Sequence, residues 1–104
     1  MSASKTTAAV SGREEAVDRL AAERTSLPRF WSNGPGDTYE WHRHGYHKVL
    51  FCLSGSITFH TKRGDVELGP GDRLDLTATT EHAATVGPGG VECVEAARSG
   101  PLRT

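Results

Sequence analysis

Three of the five histidines in the chain fall within six consecutive positions, at His42, His44 and His47. Successive side chains of a strand point to opposite faces, so His42 and His44 would project from the same face of a strand. Imidazole is a good ligand for zinc, iron and nickel, and two rings on one face could share an ion. Two ligands rarely hold a metal in a protein, so a third must come from elsewhere, and His82 is the candidate.

The elements that must bring these histidines together are predicted to be strands. From Pro28 onward, short apolar or alternating segments are separated by turn residues such as those of 33–37 and 87–90. Eight or so short strands with closely spaced turns favour a closed or double-sheet β structure. The predicted strands are 27–31, 39–44, 47–53, 56–61, 66–68, 74–76, 82–86 and 91–96.

The N-terminal segment is predicted to contain the only helix. Residues 13–23 repeat Ala16, Val17 and Leu20 at helical spacing, and Pro28 prevents the helix from continuing. Residues 1–12 show no periodicity and are predicted to be a disordered tail. The predicted division is therefore a tail at 1–12, a helical segment at 13–27, a β-barrel at 28–97 and a C-terminal tail at 98–104.

Composition restricts the class of partner. A chain of 104 residues with a formal net charge of −1 is long enough for one small domain, and it lacks the basic stripe expected of a nucleic-acid-binding protein. Its apolar runs are far shorter than the roughly 20 residues of a membrane helix, and residues 1–11 lack the apolar stretch of a secretory signal. We therefore expect a cytoplasmic protein without nucleic-acid or membrane partners.

The two cysteines, Cys52 and Cys93, fall in predicted strands. Reduced thiols in the core of a cytoplasmic protein are the favoured interpretation, and a buried disulfide is the alternative.

Two sequence motifs resemble those of the cupin superfamily, and most closely its small single-domain bacterial members. The first places Gly36, His42, His44, Lys48 and Gly55 at the family spacing, with Lys48 where the family has glutamate. The second matches in spacing, but the Pro, Gly and Asn of the family motif are replaced. Its residues are Gly71, Thr77, Thr79, His82 and Val86.

The resemblance implies an all-β fold, a cupin jelly-roll β-barrel with a short N-terminal helix. It also implies that His42, His44 and His82 hold a divalent ion such as zinc, iron, nickel or manganese. Strand parity places Lys48 on the same inward face, where an ammonium about 5 Å from the ion would be repelled by roughly 6 to 7 kcal/mol at an effective dielectric of about 20. Lys48 could be neutral, could hold an anion such as a substrate carboxylate, or could indicate that no metal is bound.

Further ligand-binding candidates are Tyr46, which is in phase with the inward face, and His47, which parity places outward. Asp75 is the one other acid considered, and the sequence does not fix which face of its strand is inward. The resemblance implies a homodimer.

Three functions fit these residues: a barrel that binds a metal and a small polar or carboxylate ligand without an assigned reaction, a metal-dependent oxygenase or isomerase, or a metal-free barrel that binds a small molecule. The fold does not decide whether the protein is an enzyme.

Overall fold

Strands dominate the computed structural model, which describes residues 2–7 and 9–98. Within these residues there are seven strands, joined in one sheet, and one short helix, so the all-β class with a short N-terminal helix is confirmed. The elements are β1 (Ala3–Thr6), α1 (Arg13–Ala22), β2 (Arg29–Asn33), β3 (Thr38–His42), β4 (His47–Thr61), β5 (Gly64–Leu68), β6 (Arg73–Leu76) and β7 (His82–Arg98).

Two long antiparallel strands form the centre of the sheet. β4 and β7 pair from one end to the other, whereas the sequence predicted two short strands in each. Gly55, predicted to lie in a turn, is instead a bend within β4. Its φ is +74°, and a Cβ there would lie 2.0 Å from the carbonyl oxygen of Gly90, so only glycine permits this close approach.

The bend divides the sheet into two parts that share β4 and β7. One part follows the order β1-β6-β4-β7-β2, and in the other β5 pairs with β4 while β3 pairs with β7. The hydrogen-bonded path does not close, because β1 and β2 remain at its ends. The sequence left open whether the β structure is a closed barrel or a double sheet. The structure has a sheet of the jelly-roll kind that is not closed by hydrogen bonds.

The alternation of side chains along β4 supplies two hydrophobic clusters. Leu50 and Cys52 belong to the interior cluster, and Val49 and Phe51 to a second cluster on the outer face. Cys52 lies opposite Cys93 on β7, and both are buried free thiols. The remaining buried members of the interior cluster are Ile57, Phe59, Leu68, Leu74, Leu76, Ala84, Val86 and Val91.

Helix α1 covers the outer cluster. Ala16 and Leu20, one turn apart, are fully buried against Phe51 and Val94, while Glu14 and its neighbour lie in the first turn, where the helix dipole favours negative charge. A helix of this length requires such packing to persist. In the described part of the chain, no helix has the length and apolar character needed to cross a bilayer.

The N-terminal residues differ from the predicted disordered tail. β1 pairs with β6, with Ala3 opposite Leu76, and the backbone N–H of Val10 donates to the carbonyl of Gly71. This long-range pairing satisfies backbone groups in a segment that lacks any local pattern. At the other end Arg98 belongs to β7, and the rest of the predicted C-terminal tail, 99–104, lies outside the described residues. The division into domains stays a prediction.

Candidate metal centre

Three histidines come together where β3 and β7 meet. His42 ends β3 and pairs with His82, the first residue of β7. The ladder of β3 stops there, so His44 lies in the following loop and not in a strand as predicted. That loop is held by the N–H of Thr79, which donates to the carbonyl of His44 at 2.7 Å.

The rings of the three histidines form a tight cluster. Ring centroids are 4.3 Å apart for His42 and His82, 4.9 Å for His42 and His44, and 5.2 Å for His44 and His82. One ligand nitrogen from each ring lies within 4.8 Å of the other two. Bonds from histidine to zinc are about 2.0–2.1 Å long, so small side-chain rotations would place all three nitrogens around one ion.

Backbone carbonyls fix the orientation of two rings. Nδ1 of His42 lies 2.6 Å from the carbonyl oxygen of Glu40, and Nδ1 of His82 lies 2.9 Å from that of Thr80. A carbonyl oxygen only accepts, so both Nδ1 atoms carry the proton. The lone pair is therefore on Nε2 in both rings. In metal sites, a hydrogen bond from the other ring nitrogen commonly fixes the tautomer and the ring orientation in this way.

The third ring has an unsatisfied nitrogen. Nε2 of His44 is buried and has no hydrogen-bond partner among the described residues, an uncommon and costly state for a polar atom. Burial, assisted by the positive charge of Lys48 and by the other two histidines, lowers the pKa of His44 to about 4. Burial also lowers the pKa of His82. Neutral rings with free lone pairs are the form that binds metals, so the donor set fits a divalent cation.

Lys48 is paired with a carboxylate that the sequence analysis missed. Its Nζ lies 3.3 Å from Oε1 of Glu95, and both side chains are largely buried. None of the three alternatives for Lys48 anticipated a partner within the protein. Strand parity could have found Glu95, since it is in phase with the inward-facing Val91 and Cys93 of β7.

A cavity of about 250 Å³ adjoins the cluster. It brings two of the histidines, the Lys48–Glu95 pair and several aromatic rings to one space. Its lining residues are Arg29, Trp31, Tyr39, His42, Lys48, Phe59, His82, Ala84 and Glu95. The cavity is therefore large enough for a small ligand and lies directly beside the histidine cluster.

The other two predicted ligand-binding residues lie apart from this cavity. Tyr46 contacts the cluster from outside, with its ring centroid 5.1 Å from that of His44. His47 faces outward, as parity predicted, and its Nε2 lies 2.8 Å from Oδ1 of Asp75. Neither residue lines the cavity, and a role for them in ligand binding stays a prediction.

A second cavity, of about 420 Å³, lies between the β4–β5 turn and the N-terminal residues. Arg43, Lys62 and Arg63 contribute its positive charges, and Asp65 and Glu81 its negative ones. None of the clustered histidines borders it, so the smaller cavity is the candidate ligand site.

Comparison with known proteins identifies the family. A family model described as a cupin domain matches residues 29–94. The chain is 41% identical over 54 residues to a quercetin 2,3-dioxygenase of Bacillus subtilis. That match covers 50% of this chain and 16% of the dioxygenase, so the chain spans about a sixth of the length of this curated relative.

Solved structures share the fold at low sequence identity. A cupin superfamily protein from Desulfitobacterium hafniense superposes with a TM-score of 0.65 at 14% identity, covering 95% of this chain and 79% of the other. An acireductone dioxygenase from Bacillus anthracis, solved with a cadmium ion in its active centre, gives a TM-score of 0.62 at 21% identity, covering 83% and 58%.

Proposed function

Because the chain belongs to the cupin domain family, we propose that it holds one divalent ion on His42, His44 and His82 and binds a small polar or carboxylate-bearing molecule in the adjoining cavity. The observation that supports this proposal best is the convergence of three ring nitrogens, one of them buried without a partner. Once bound, the ion would supply a Lewis acid with open coordination positions.

Different residues of the chain would then have different roles in binding the ion and the ligand. The carbonyls of Glu40 and Thr80 hold the rings of His42 and His82. Glu95 offsets the positive charge of Lys48, which removes much of the repulsion that an unpaired ammonium would exert on the ion. Arg29, which lines the cavity, would supply a positive charge for an acidic ligand group.

Metal stoichiometry tests the proposal. The protein is purified without an affinity tag, stripped with a chelator and dialysed against zinc, iron(II), nickel or manganese, and the bound metal is measured by mass spectrometry. We expect one ion per chain, lost in a His42→Ala/His82→Ala double variant and retained in His47→Ala. Metal-free wild-type protein that stays folded would overturn the proposal and favour the metal-free barrel.

An enzymatic role is the second candidate. The similarity to a quercetin 2,3-dioxygenase over half of the chain favours oxygenase over isomerase chemistry. Oxygen consumption by the iron-loaded protein with a panel of small aromatic substrates tests this role. Consumption that disappears in the double variant would support an oxygenase, and its absence across the panel would favour a binding module.

We also propose a cytoplasmic homodimer. The buried free thiols of Cys52 and Cys93 suit a reducing compartment. The edge strand β2 carries Phe30, which is 44% exposed, and an exposed apolar side chain on a sheet edge suits pairing with a second copy. Light scattering coupled to size exclusion would give twice the chain mass for a dimer, and the mass of one chain would contradict it.

A further inference from the structure

The Lys48–Glu95 pair crosses the two central strands above the interior core. Leu50 of β4 is opposite Glu95 of β7, so Lys48, two residues before Leu50, is the diagonal neighbour of Glu95 on the same face. Both side chains border the cavity that His42 and His82 also border. A ligand in this cavity would therefore lie beside both a carboxylate of the protein and two of the clustered histidines.

The hydrogen bond that Glu95 accepts falls on one of its two carboxylate oxygens. Its Oε1 accepts a hydrogen bond from Nε1 of Trp31 at 2.9 Å and also faces the ammonium of Lys48 at 3.3 Å. In the described chain, Oε2 has no hydrogen-bond donor. Two contacts on the same oxygen fix the carboxylate while leaving its second oxygen free to accept.

The walls of the cavity favour a flat ligand. Five of its nine lining residues carry rings, and the rings of Trp31 and Tyr39 pack edge to face with centroids 5.8 Å apart. Aromatic side chains present broad apolar faces on which a planar molecule can stack. The hydroxyl of Tyr39 is already bonded to Asn33, so this part of the wall is apolar toward the cavity.

We propose that Glu95 is a specificity-determining residue that accepts a hydrogen bond from a hydroxyl group on a flat aromatic ligand. A ligand carboxylate beside Glu95 would be repelled by the negative charge of Glu95. The positive charge of Lys48 would not offset this repulsion, because it is already paired with Glu95. The ligand class is therefore a hydroxylated ring, and an acidic group is accommodated only toward Arg29. This inference rests on the proposed function, because it assumes that the ligand lies beside the histidine cluster.

The experiment compares 2-naphthol with 2-methoxynaphthalene, which has the same rings without the donor. Binding is measured by titration calorimetry on zinc-loaded and chelator-treated protein. Quenching of Trp31 fluorescence in a Trp41→Phe background locates the probe. We expect 2-naphthol to quench Trp31 and to bind about tenfold or more tightly than its methyl ether, since hydrogen bonds to charged groups are among the stronger ones.

Two variants of β7 isolate the carboxylate. In Glu95→Gln the affinity for 2-naphthol should fall about 10- to 100-fold, while the affinity for 2-methoxynaphthalene stays unchanged. Glu92→Gln is the matched control, because Glu92 lies on the same strand and pairs with Arg13 on the outer side; it should bind both probes as the wild type does. If Glu95→Gln does not fold, the Lys48→Met/Glu95→Gln double variant removes both charges together and should show the same selective loss.

The outcomes separate this inference from the proposed function. If the wild-type protein does not bind zinc, the proposed function is overturned, whatever the affinities for the two probes. Bound zinc with equal affinity for the two probes, or an unchanged affinity for 2-naphthol in Glu95→Gln, would overturn the role of Glu95. Preference for 2-naphthoate over 2-naphthol that survives in Glu95→Gln would overturn it as well, and would identify an anion site.

Discussion

Two histidines three positions apart in the sequence meet opposite surroundings in the fold. Nε2 of His44 is buried without a partner beside two further histidines. Nε2 of His47 lies 2.8 Å from Oδ1 of Asp75, on the outer side of the sheet. The residue type is the same, so the presence or absence of an acidic partner separates a candidate ligand from a structural group.

His47 and Asp75 belong to a network of charged groups on the outer side of the sheet, and each group in this network has a partner. The guanidinium of Arg73 is largely buried and binds the carboxylates of Glu23, just beyond α1, and Asp75. Arg98 lies 3.9 Å from both acids. The network ties the end of α1 to β6 and β7, so its expected contribution is to stability.

The histidine cluster lacks such compensation. No carboxylate contacts its rings among the described residues, and burial together with nearby Lys48 lowers the pKa of His44 to about 4. The ring of His44 is therefore neutral at ordinary pH, with a lone pair available to a cation. The comparison supports the proposed metal site at the three clustered histidines, whereas His47 is satisfied by a carboxylate of the protein itself.

The largest expected difference between the regions is in metal affinity. His44→Ala removes one of three ligands and should weaken zinc binding by more than about 100-fold, beyond what loss of an outer-shell partner usually costs. His47→Ala, its matched control, should bind zinc as the wild type does. Titration calorimetry on stripped protein measures both, and equal affinities in the two variants would remove the distinction.

The free energy of unfolding should show the reverse of the pattern in metal affinity: it should depend on the outer charge network and hardly on the histidine cluster. Arg73→Met leaves Glu23 and Asp75 close together without their main partner, and breaking a partly buried ion network by removing one member costs about 3 kcal/mol of unfolding free energy. His44→Ala should leave the stability of the metal-free protein within about 1 kcal/mol of the wild type. Urea unfolding of metal-free samples gives both values, and a loss below about 1 kcal/mol in Arg73→Met would show that the network is not a stabilising element.

Acid should weaken the network. The hydrogen bond from Arg73 lowers the pKa of Glu23. Burial opposes ionisation of Asp75, but hydrogen bonds from Arg73 and His47 outweigh it, and the pKa of Asp75 is lowered too. Folded-state values below the unfolded ones mean that the stabilisation is complete above the ordinary carboxyl range, near pH 4, and is lost as the pH falls through the lowered values.

Urea unfolding of metal-free protein between pH 6 and pH 3 measures this loss. A Glu23→Gln/Asp75→Asn variant should be less stable at pH 6 and should show a flatter pH dependence. An equally steep decline in that variant would assign the acid sensitivity to other groups.

The smallest effect is expected at His60, whose partner is exposed. Its Nδ1 lies 2.8 Å from Asp65, which is 63% exposed, and its Nε2 contacts Thr85. Exposed ion pairs contribute between about 0 and 1 kcal/mol, so Asp65→Ala should change the unfolding free energy by about 0.5 kcal/mol. A loss above about 1.5 kcal/mol would mean that solvent exposure does not separate this pair from the buried network.

Spacing and parity predicted much of this site from the sequence. The alternation of strand side chains placed Lys48 inward and His47 outward, and the motif spacing selected the same three histidines that the structure clusters. Glu95 was missed because an acidic side chain in a strand carries no motif by itself, although its phase with Cys93 could have identified its face.

Other features depend on pairing between distant segments. Ser54-Gly55 has the composition of a turn, yet bulges let β4 continue through it against β7. β1 has no periodic pattern and forms because β6 offers it an edge about 70 residues away. The local sequence predicts neither the continuation of β4 through Gly55 nor the pairing of β1 with β6. Both features could be found only from the three-dimensional arrangement.

One measurement addresses the difference between the two histidine environments directly: a long-range nitrogen–proton correlation NMR spectrum of the five histidine rings, recorded before and after addition of one equivalent of zinc. We predict that His42 and His82 carry their proton on Nδ1 in the metal-free protein, and that zinc shifts the Nε2 resonances of His42, His44 and His82 while those of His47 and His60 stay in place. Zinc-induced shifts confined to His47 or His60, or no shift in the three clustered rings, would contradict the account.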